Sequence, residues 1–383
     1  MTTPDPATIL DQDAWLSWIE VDVEAVRHNF RLFRNLVPKT TSVFAVVKAD
    51  AYGHGAIPVA RALAQEGAEV LCVARVEEAL ELRAAGIETP ILVFAPPLGP
   101  QAMAAAGKNI SLTISSVEHL AAVSHAAAAT GVDIPVHLKV DVGMGRLGIA
   151  PGDALTLAQV VLGRPGIILA GVMTHFPCAD SGQKETTLHQ LKSFKEVRRA
   201  FHEAGIYPRY FHCANSAAAL DFPESHLDAI RPGISLYGLM PSLDVLARPE
   251  LRPAMALRSR ITFLKEVPTS TPLSYGGTFV TDRPSRIATV PVGYADGYPR
   301  PASNRATGLL HGHRVPQVGR VCMDQILFDV TDVEQVSAGD TITLFGEDGG
   351  VFLSAEELAV ASGTIGYEIT TRIGKRLPRY IRG

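Results

Sequence analysis

The sequence predicts an α/β chain, with an N-terminal (β/α)8 barrel over residues 1–245 and a mostly β domain over residues 246–383. From residue 43 to about 237, short apolar, β-branched runs alternate with amphipathic, alanine-rich helical patterns, which points to a parallel sheet. Eight such runs suggest a closed barrel. An open doubly wound sheet is the alternative, weakened because no GxGxxG follows the first run. After Met240 the texture changes to short β-rich runs separated by Gly, Pro, Asp and Asn turns, with Pro241–Pro253 as the connecting segment.

The predicted barrel strands are Val43–Val47, Val70–Ala74, Ile91–Phe94, Leu112–Ile114, Val136–Val140, Leu169–Thr174, Tyr210–Cys213 and Ala229–Ser235. Helical patterns occupy 57–66, 76–85, 117–129, 153–163 and 185–204, while the links after Phe94 and before Ala229 carry no clear pattern. In the second domain the runs are Arg258–Leu264, Arg286–Val292, Val315–Val318, Ile326–Val330 and Thr341–Leu344, with one helical piece at Ser354–Ser362.

Composition excludes several classes. The 383 residues are 47% apolar and 19% charged, with a net charge of −4 and no basic block, so nothing points to nucleic acid or an anionic membrane. No apolar run is long enough to span a bilayer. The segment Met1 to Trp15 has no apolar h-region, and the four cysteines (72, 178, 213 and 322) lack metal-ligand spacing. These features predict reduced thiols, no metal site and a cytoplasmic protein.

The carboxyl ends of barrel strands build active sites. Lys48 ends the first run, and a lysine there is solvated, paired or used, because burial disfavours the ammonium. A buried one favours the free amine needed for Schiff-base chemistry, and a solvated strand-end lysine is the alternative. Past the other runs stand Arg75, Lys139, Asp141, Arg146, His175, His212, Asn215, Ser216 and Arg231. So much cationic chemistry suits an anionic, electron-poor ligand. Loops seven and eight, with Asn215-Ser216 and Gly233-Ile234, read as helix N-termini able to hold a phosphate; an N-cap is the plainer role for Ser216. With Lys48, the combination points to pyridoxal 5'-phosphate.

Nine motifs in chain order sharpen this: VVKADAYGHG (46–55), LKVDVGMGRLG (138–148), THF (174–176), ANSA (214–217), RPGISLYG (231–238), LSYGGTF (273–279), VGYADGYPR (292–300), VGRVCMDQ (318–325) and TIGYE (364–368). Together they resemble the fold-type III alanine racemases. The resemblance implies a cytoplasmic homodimer with shared active sites, acting on alanine and supplying D-alanine for peptidoglycan. It implies that Lys48 holds pyridoxal phosphate and is the base facing the D-substrate. Tyr275 of the other subunit faces the L-substrate. Tyr52, Ser216, Gly233, Ile234 and Tyr367 bind phosphate, with Asn215 beside them. Arg231 meets the ring nitrogen, Arg146 contacts the ring phenolate and the substrate, and His175 lies beside the ring. Met323, through its backbone N–H, holds the substrate carboxylate, Tyr294 lines the entryway, and Lys139 matches a position that carries a carbamate (N6-carboxylysine) in many members.

Racemisation requires an acid–base group on each face of the reacting carbon. Lysine and tyrosine both have free pKa values near 10, and a tyrosine serves as base where nearby cations favour its phenolate; Arg146 and His175 are the candidates here. An arginine at the ring nitrogen does not give up its proton, which limits side reactions. Three departures stand out. Val142 replaces the family's threonine beside the carbamate candidate, Gly366 replaces an asparagine beside Tyr367, and Pro177-Cys178 replace Ala-Thr. Cys178 reads as an inert thiol and His54 as a structural hydrogen-bonder. Arg75 and His212 read as groups that orient neighbours. Asp324 either pairs across the dimer or is a surface aspartate, and Arg320 is an interface anchor or a solvated strand residue. Competing readings are a racemase of broader specificity that accepts serine, a fold-type III decarboxylase and a pyridoxal-phosphate carrier. Decarboxylases of this type carry a glutamate at the ring nitrogen where this chain has Arg231. The carriers lack a β domain.

Overall fold

The computed structural model describes residues 14–383. The chain opens with β1 (Ser17–Asp22) and a helix at Val23–Leu36. Eight parallel strands then close a barrel: β2 (Ser42–Val46), β3 (Val70–Val73), β4 (Ile91–Val93), β5 (Ile110–Ile114), β6 (Ile134–Lys139), β7 (Ile167–Met173), β8 (Tyr210–His212) and β9 (Ala229–Ile230). Closure runs through Ser42 opposite Ala229 and Val43 opposite Ile230. Runs such as Val70-Leu-Cys-Val73 and Ile91-Leu-Val93 are buried throughout because parallel strands are covered on both faces.

Each predicted barrel helix is present within two residues of its expected bounds: Ala56–Gln65, Val76–Ala84, Val117–Thr130, Ala154–Leu162 and Lys184–Glu203. Punctuation explains the ends. Ser116 caps Val117–Thr130 through the His119 N–H, and Gly131 ends it in the left-handed region at φ 68°. The unassigned link after Phe94 contains a helix at Gly99–Ala105, with Pro100 in its first turn. The eighth strand is shorter than expected. Pro232 offers no N–H to a ladder, and a 3-10 turn at Ile234–Tyr237 replaces the predicted strand continuation.

Apart from β12 and β13, the remaining strands join β1 in a second sheet, in the order β11-β14-β17-β16-β15-β18-β10-β1-β20, with β19 on β18. They are β10 (Met255–Arg260), β11 (Phe263–Val267), β12 (Pro272–Leu273), β13 (Phe279–Val280), β14 (Ser285–Val290), β15 (Thr307–Leu310), β16 (His313–Val318), β17 (Ile326–Asp329), β18 (Thr341–Asp348), β19 (Val351–Leu353) and β20 (Arg379–Arg382). β12 and β13 pair with each other. The run expected at Arg258–Leu264 is two strands. It breaks where the Ile261 N–H turns to Asp340 O and the Thr262 N–H to Thr289 O, so β10 pairs with β18 and β11 with β14. Val267, Leu273, Ile287 and Val318 make a local core with Phe279 and Leu327.

By contact the chain divides between Arg252 and Pro253. Described residues up to Glu24, and the short stretch Tyr52–Gly55, group with the C-terminal strands. Strand pairing accounts for the first group: β1 runs antiparallel to β10, with Ile19 opposite Leu257, and parallel to β20, with Ile19 opposite Arg379. No helix of the described residues is long and apolar enough to cross a membrane.

Candidate active site

Lys48 sits half-buried just past β2. The Val47 N–H bonds Cys72 O at 2.8 Å, which fixes the strand end. The chain then does something no glycine or proline announces. Ala49, Asp50, Ala51 and Tyr52 all adopt left-handed backbone, with φ 53–54°. Each such L-residue costs about 1–2 kcal/mol, so the turn persists only because its surroundings hold it. The Ala51 N–H reaches Val47 O at 2.9 Å, and Asp50 Oδ1 accepts the Ala56 N–H at 2.7 Å as the next helix begins.

Around this rim the barrel gathers cations. Arg231 is 4% exposed. Its Nη1 donates to His212 Nδ1 at 2.9 Å, and its Nη2 donates to Thr174 O at 2.6 Å and Cys213 O at 3.1 Å. A guanidinium is always a donor, so His212 Nδ1 accepts and its proton sits on Nε2. That Nε2 meets His137 Nδ1 at 2.9 Å, which makes a directed chain of two neutral imidazoles behind Arg231. Burial first, then the Arg231 charge, holds His212 well below its usual value and pushes His137 down to about 3. Burial and the cations Arg231, Lys139, Arg146 and Lys48 push His175 down to about 3 as well. His175 is therefore a neutral ring, not the cation that the sequence offered as a partner for Tyr275. Lys139 is pushed down to about 8 by burial and Arg231, and its Nζ donates to Val140 O at 2.8 Å. Burial, then Arg146, also lowers Lys48, while Glu78 opposes the shift.

Arg146 rides on a loop shaped by Asp141, whose carboxylate accepts the Gly143, Met144 and Gly145 amides at 2.7–2.9 Å. Among the described residues, no carboxylate forms an ion pair with Lys48, Lys139, Arg146 or Arg231. Nearby, Asn215 rather than Ser216 is the N-cap of the helix Ser216–Asp221, since its side chain accepts the Ala218 N–H at 3.0 Å. Ser216, buried at the start of that helix, accepts the Gly233 N–H at 2.8 Å, and so ties loop seven to the turn that begins at Ile234.

The other expected site residues belong to the second unit. The rings of Tyr52 and Tyr367 lie 6.2 Å apart. Gly53 makes that approach possible: a Cβ there would fall 2.1 Å from Thr370 O in the helix Gly366–Arg372. Tyr275 starts a 3-10 turn with its side chain 70% exposed. The preceding Ser274 donates to Arg320 O at 2.7 Å and lies 3.4 Å from Cys322 Sγ. The Tyr294 N–H bonds Cys322 O and the Ala295 N–H bonds Met323 O, both at 3.0 Å, and a Cβ on Gly293 would fall 2.1 Å from Met323 O. The Tyr294 and Met323 loops are thus laced together by backbone, and the Ser274 hydroxyl ties the Tyr275 turn to the Met323 loop. Asp324, itself more than half exposed, pairs with Arg376 of its own chain at 2.9 Å. The Arg320 guanidinium flanks Gly276, with Nη1 3.3 Å from where a Cβ would stand.

The model of the alanine racemase N-terminal domain matches residues 21–241, and that of the C-terminal domain matches residues 254–381. The chain belongs to the alanine racemase family. An alanine racemase of Halothermothrix orenii is 43% identical over 363 residues, covering 95% of this chain and 96% of that protein. One from Desulfovibrio desulfuricans is 44% identical over 94% of this chain and 97% of its own. Among solved structures, alanine racemase from D-cycloserine-producing Streptomyces lavendulae superposes with a TM-score of 0.90 at 39% identity, covering 96% of this chain and 97% of its own. The Bacillus anthracis alanine racemase with bound L-Ala-P has a TM-score of 0.90 at 37% identity, covering 96% of this chain and 95% of its own.

Within this racemase fold His137 is a residue that sequence reading missed. It lies two positions before Lys139 on one strand, hence on the same face, and that spacing was the available signal. A Cβ on Gly171 would come within 2.5 Å of its Nδ1, so the glycine makes room for the ring. The two linked histidines predict acid sensitivity. Both are neutral when folded and take up protons on unfolding below about pH 6.5. Stability is therefore fully present above that pH and is lost as pH falls toward 3, by about 1.4 kcal/mol per pH unit for each histidine. Urea titrations at pH 7, 6 and 5 check this, and His137→Gln is expected to flatten the dependence by one proton.

Proposed function

We propose that this chain interconverts L- and D-alanine with pyridoxal 5'-phosphate, as a cytoplasmic homodimer whose product serves peptidoglycan synthesis. The observation that carries the reading is the buried Arg231, backed by neutral His212 and with no carboxylate partner among the described residues, on the same barrel as a lysine whose amine is favoured by burial. That set fits the cofactor. A surplus of unpaired cations suits its phosphate and phenolate, and a free amine suits its aldehyde. Lys48 would hold the group covalently. Ser216, Gly233, Ile234, Tyr52 and Tyr367 would take its phosphate, with Asn215 capping the helix beside them. Arg231 would meet its ring nitrogen, and Arg146 and His175 would flank the ring. When bound, the cofactor supplies the electron sink that acidifies the substrate Cα–H.

The chain's own residues then handle the proton. Lys48 Nζ exchanges it on one face of Cα, and the Tyr275 hydroxyl of the partner subunit exchanges it on the other. Arg146 and the N–H of the partner's Met323 hold the carboxylate, and the partner's Tyr294 guards the entry. Arg231 keeps its proton and so gives the ring nitrogen only a hydrogen bond, which disfavours decarboxylation and transamination. His212 holds the guanidinium in register. Lys139, pushed down to about 8, has the free-amine character that a carbamate requires, and the added charge would steady Arg146. Solvent-deuterium incorporation at Cα of L- and D-alanine tests the reading: both enantiomers are expected to exchange, and exchange of neither would overturn it.

Gly366 sets a finer expectation. It is half-buried, stands beside Tyr367, and replaces the family's asparagine. Gly366→Asn is expected to lower activity on serine relative to alanine about tenfold. Racemisation rates for both substrates check it; an unchanged ratio removes Gly366 from size selection.

A further inference from the structure

We propose that Glu78 positions Lys48 by clamping the left-handed turn that follows it; the inference rests on the role of Lys48 given above. Ala49 is the first left-handed residue, and its N–H lies in the peptide unit shared with Lys48. That N–H donates to Glu78 Oε1 at 2.6 Å. The other oxygen, Oε2, accepts the Ala74 N–H at 2.7 Å and the Arg75 N–H at 3.0 Å, past the end of β3. A glutamate at the third position of a helix commonly accepts the N-cap amide, and one oxygen does that here. The second oxygen is surplus to capping. It reaches from the loop after β3 to the loop after β2, and holds the Lys48–Ala49 peptide plane in an orientation that alanine would not choose.

Two further observations support the assignment. The turn contains no glycine, so its conformation is imposed rather than intrinsic, and strained backbone of this kind persists where neighbours over-determine it. Glu78 forms no ion pair among the described residues, so its charge acts on the three amides and, at longer range, on Lys48, whose ammonium it favours. Glu77, next to it, is exposed and serves as the control.

The test uses the full-length, cofactor-loaded protein with Glu78→Gln, Glu78→Asp and Glu77→Gln. A glutamine has one acceptor oxygen and cannot serve both strands. An aspartate keeps the charge but falls one methylene short. Amide hydrogen exchange over residues 47–52 is expected to quicken about tenfold or more in both Glu78 variants. Alanine turnover should show kcat lower by about 100-fold with KM within about threefold, and Glu77→Gln should match wild type in both measurements. Exchange or kcat at wild-type levels in Glu78→Gln overturns the proposal, and if that variant does not fold, Glu78→Asp is judged by the same two criteria. A wild-type protein that fails to racemise alanine sinks the role of Lys48 alone, since exchange over 47–52 still reports whether Glu78 holds the turn.

Discussion

Tyr275→Phe is expected to lower kcat for alanine racemisation about 10³-fold, with cofactor binding intact and KM little changed. The substitution removes one oxygen from an exposed ring on a 3-10 turn, so it leaves no cavity and little folding cost. On the proposed mechanism, what it removes is the acid–base group on one face. The loss is therefore directional. Deuterium exchange from L-alanine should collapse with the overall rate, while exchange from D-alanine, which begins at Lys48, should persist. Equal loss from both enantiomers would mean that Tyr275 acts by shaping the site rather than by moving the proton.

Lys48→Ala is expected to have the larger effect. It should lose the visible absorbance of the lysine-bound cofactor together with all measurable turnover, a loss of at least about 10⁴-fold. Lys48→Arg separates charge from chemistry. Arginine preserves a cation beside Arg146 but is not a nucleophilic amine at neutral pH, so it should be as inactive as alanine. The thermal melt of Lys48→Ala should stay near or above that of wild type, because Lys48 is half-buried near Arg146 and removing its charge relieves repulsion, whereas Lys48→Arg keeps that repulsion and should gain nothing. Activity surviving in Lys48→Arg would show that the lysine contributes only its charge.

The fold was legible where burial writes a continuous apolar run. Val70–Val73 and Ile91–Val93 are buried throughout, the composition that a parallel strand covered on both faces calls for. The strand ends were legible for the same reason, since a polar residue closing a buried run marks the rim, as Lys48, Lys139 and His212 do. β1 was not legible. Ile19-Glu-Val-Asp22 alternates as a strand should, but its partners at 255–260 and 379–382 lie far along the chain, and local pattern carries no pairing information. The extent of the eighth strand was overestimated because Ile234 and Leu236 look like strand residues, while Pro232 and the geometry of Gly233 decide otherwise.

The site divides in the same way. Residues whose chemistry is unusual for their place announced themselves, above all an arginine that turned out to be buried without an acid. Residues that act through backbone did not. Glu78 reads as one of two ordinary acids in a helix's first turn, and only its contacts in the fold, above all the Ala49 amide at 2.6 Å, set it apart from Glu77. The left-handed turn is silent in sequence because Ala-Asp-Ala-Tyr carries no residue that prefers positive φ strongly enough to predict four in a row. The charge state of His175 was likewise set by neighbours on four different strands or loops, which the sequence does not bring together.

In the proposed mechanism two bases, Lys48 and Tyr275, serve opposite faces of one substrate from two copies of the chain. Mixing the two inactive variants, Lys48→Ala and Tyr275→Phe, under conditions that let subunits exchange tests it most directly. A hybrid dimer then contains one site with both lesions and one site with none. An equal mixture is expected to recover about a quarter of the wild-type rate, since half of the dimers are hybrids and each has one intact site. Activity no higher than that of the parent variants, in a mixture shown to contain hybrids, would contradict the claim and place both bases on a single chain.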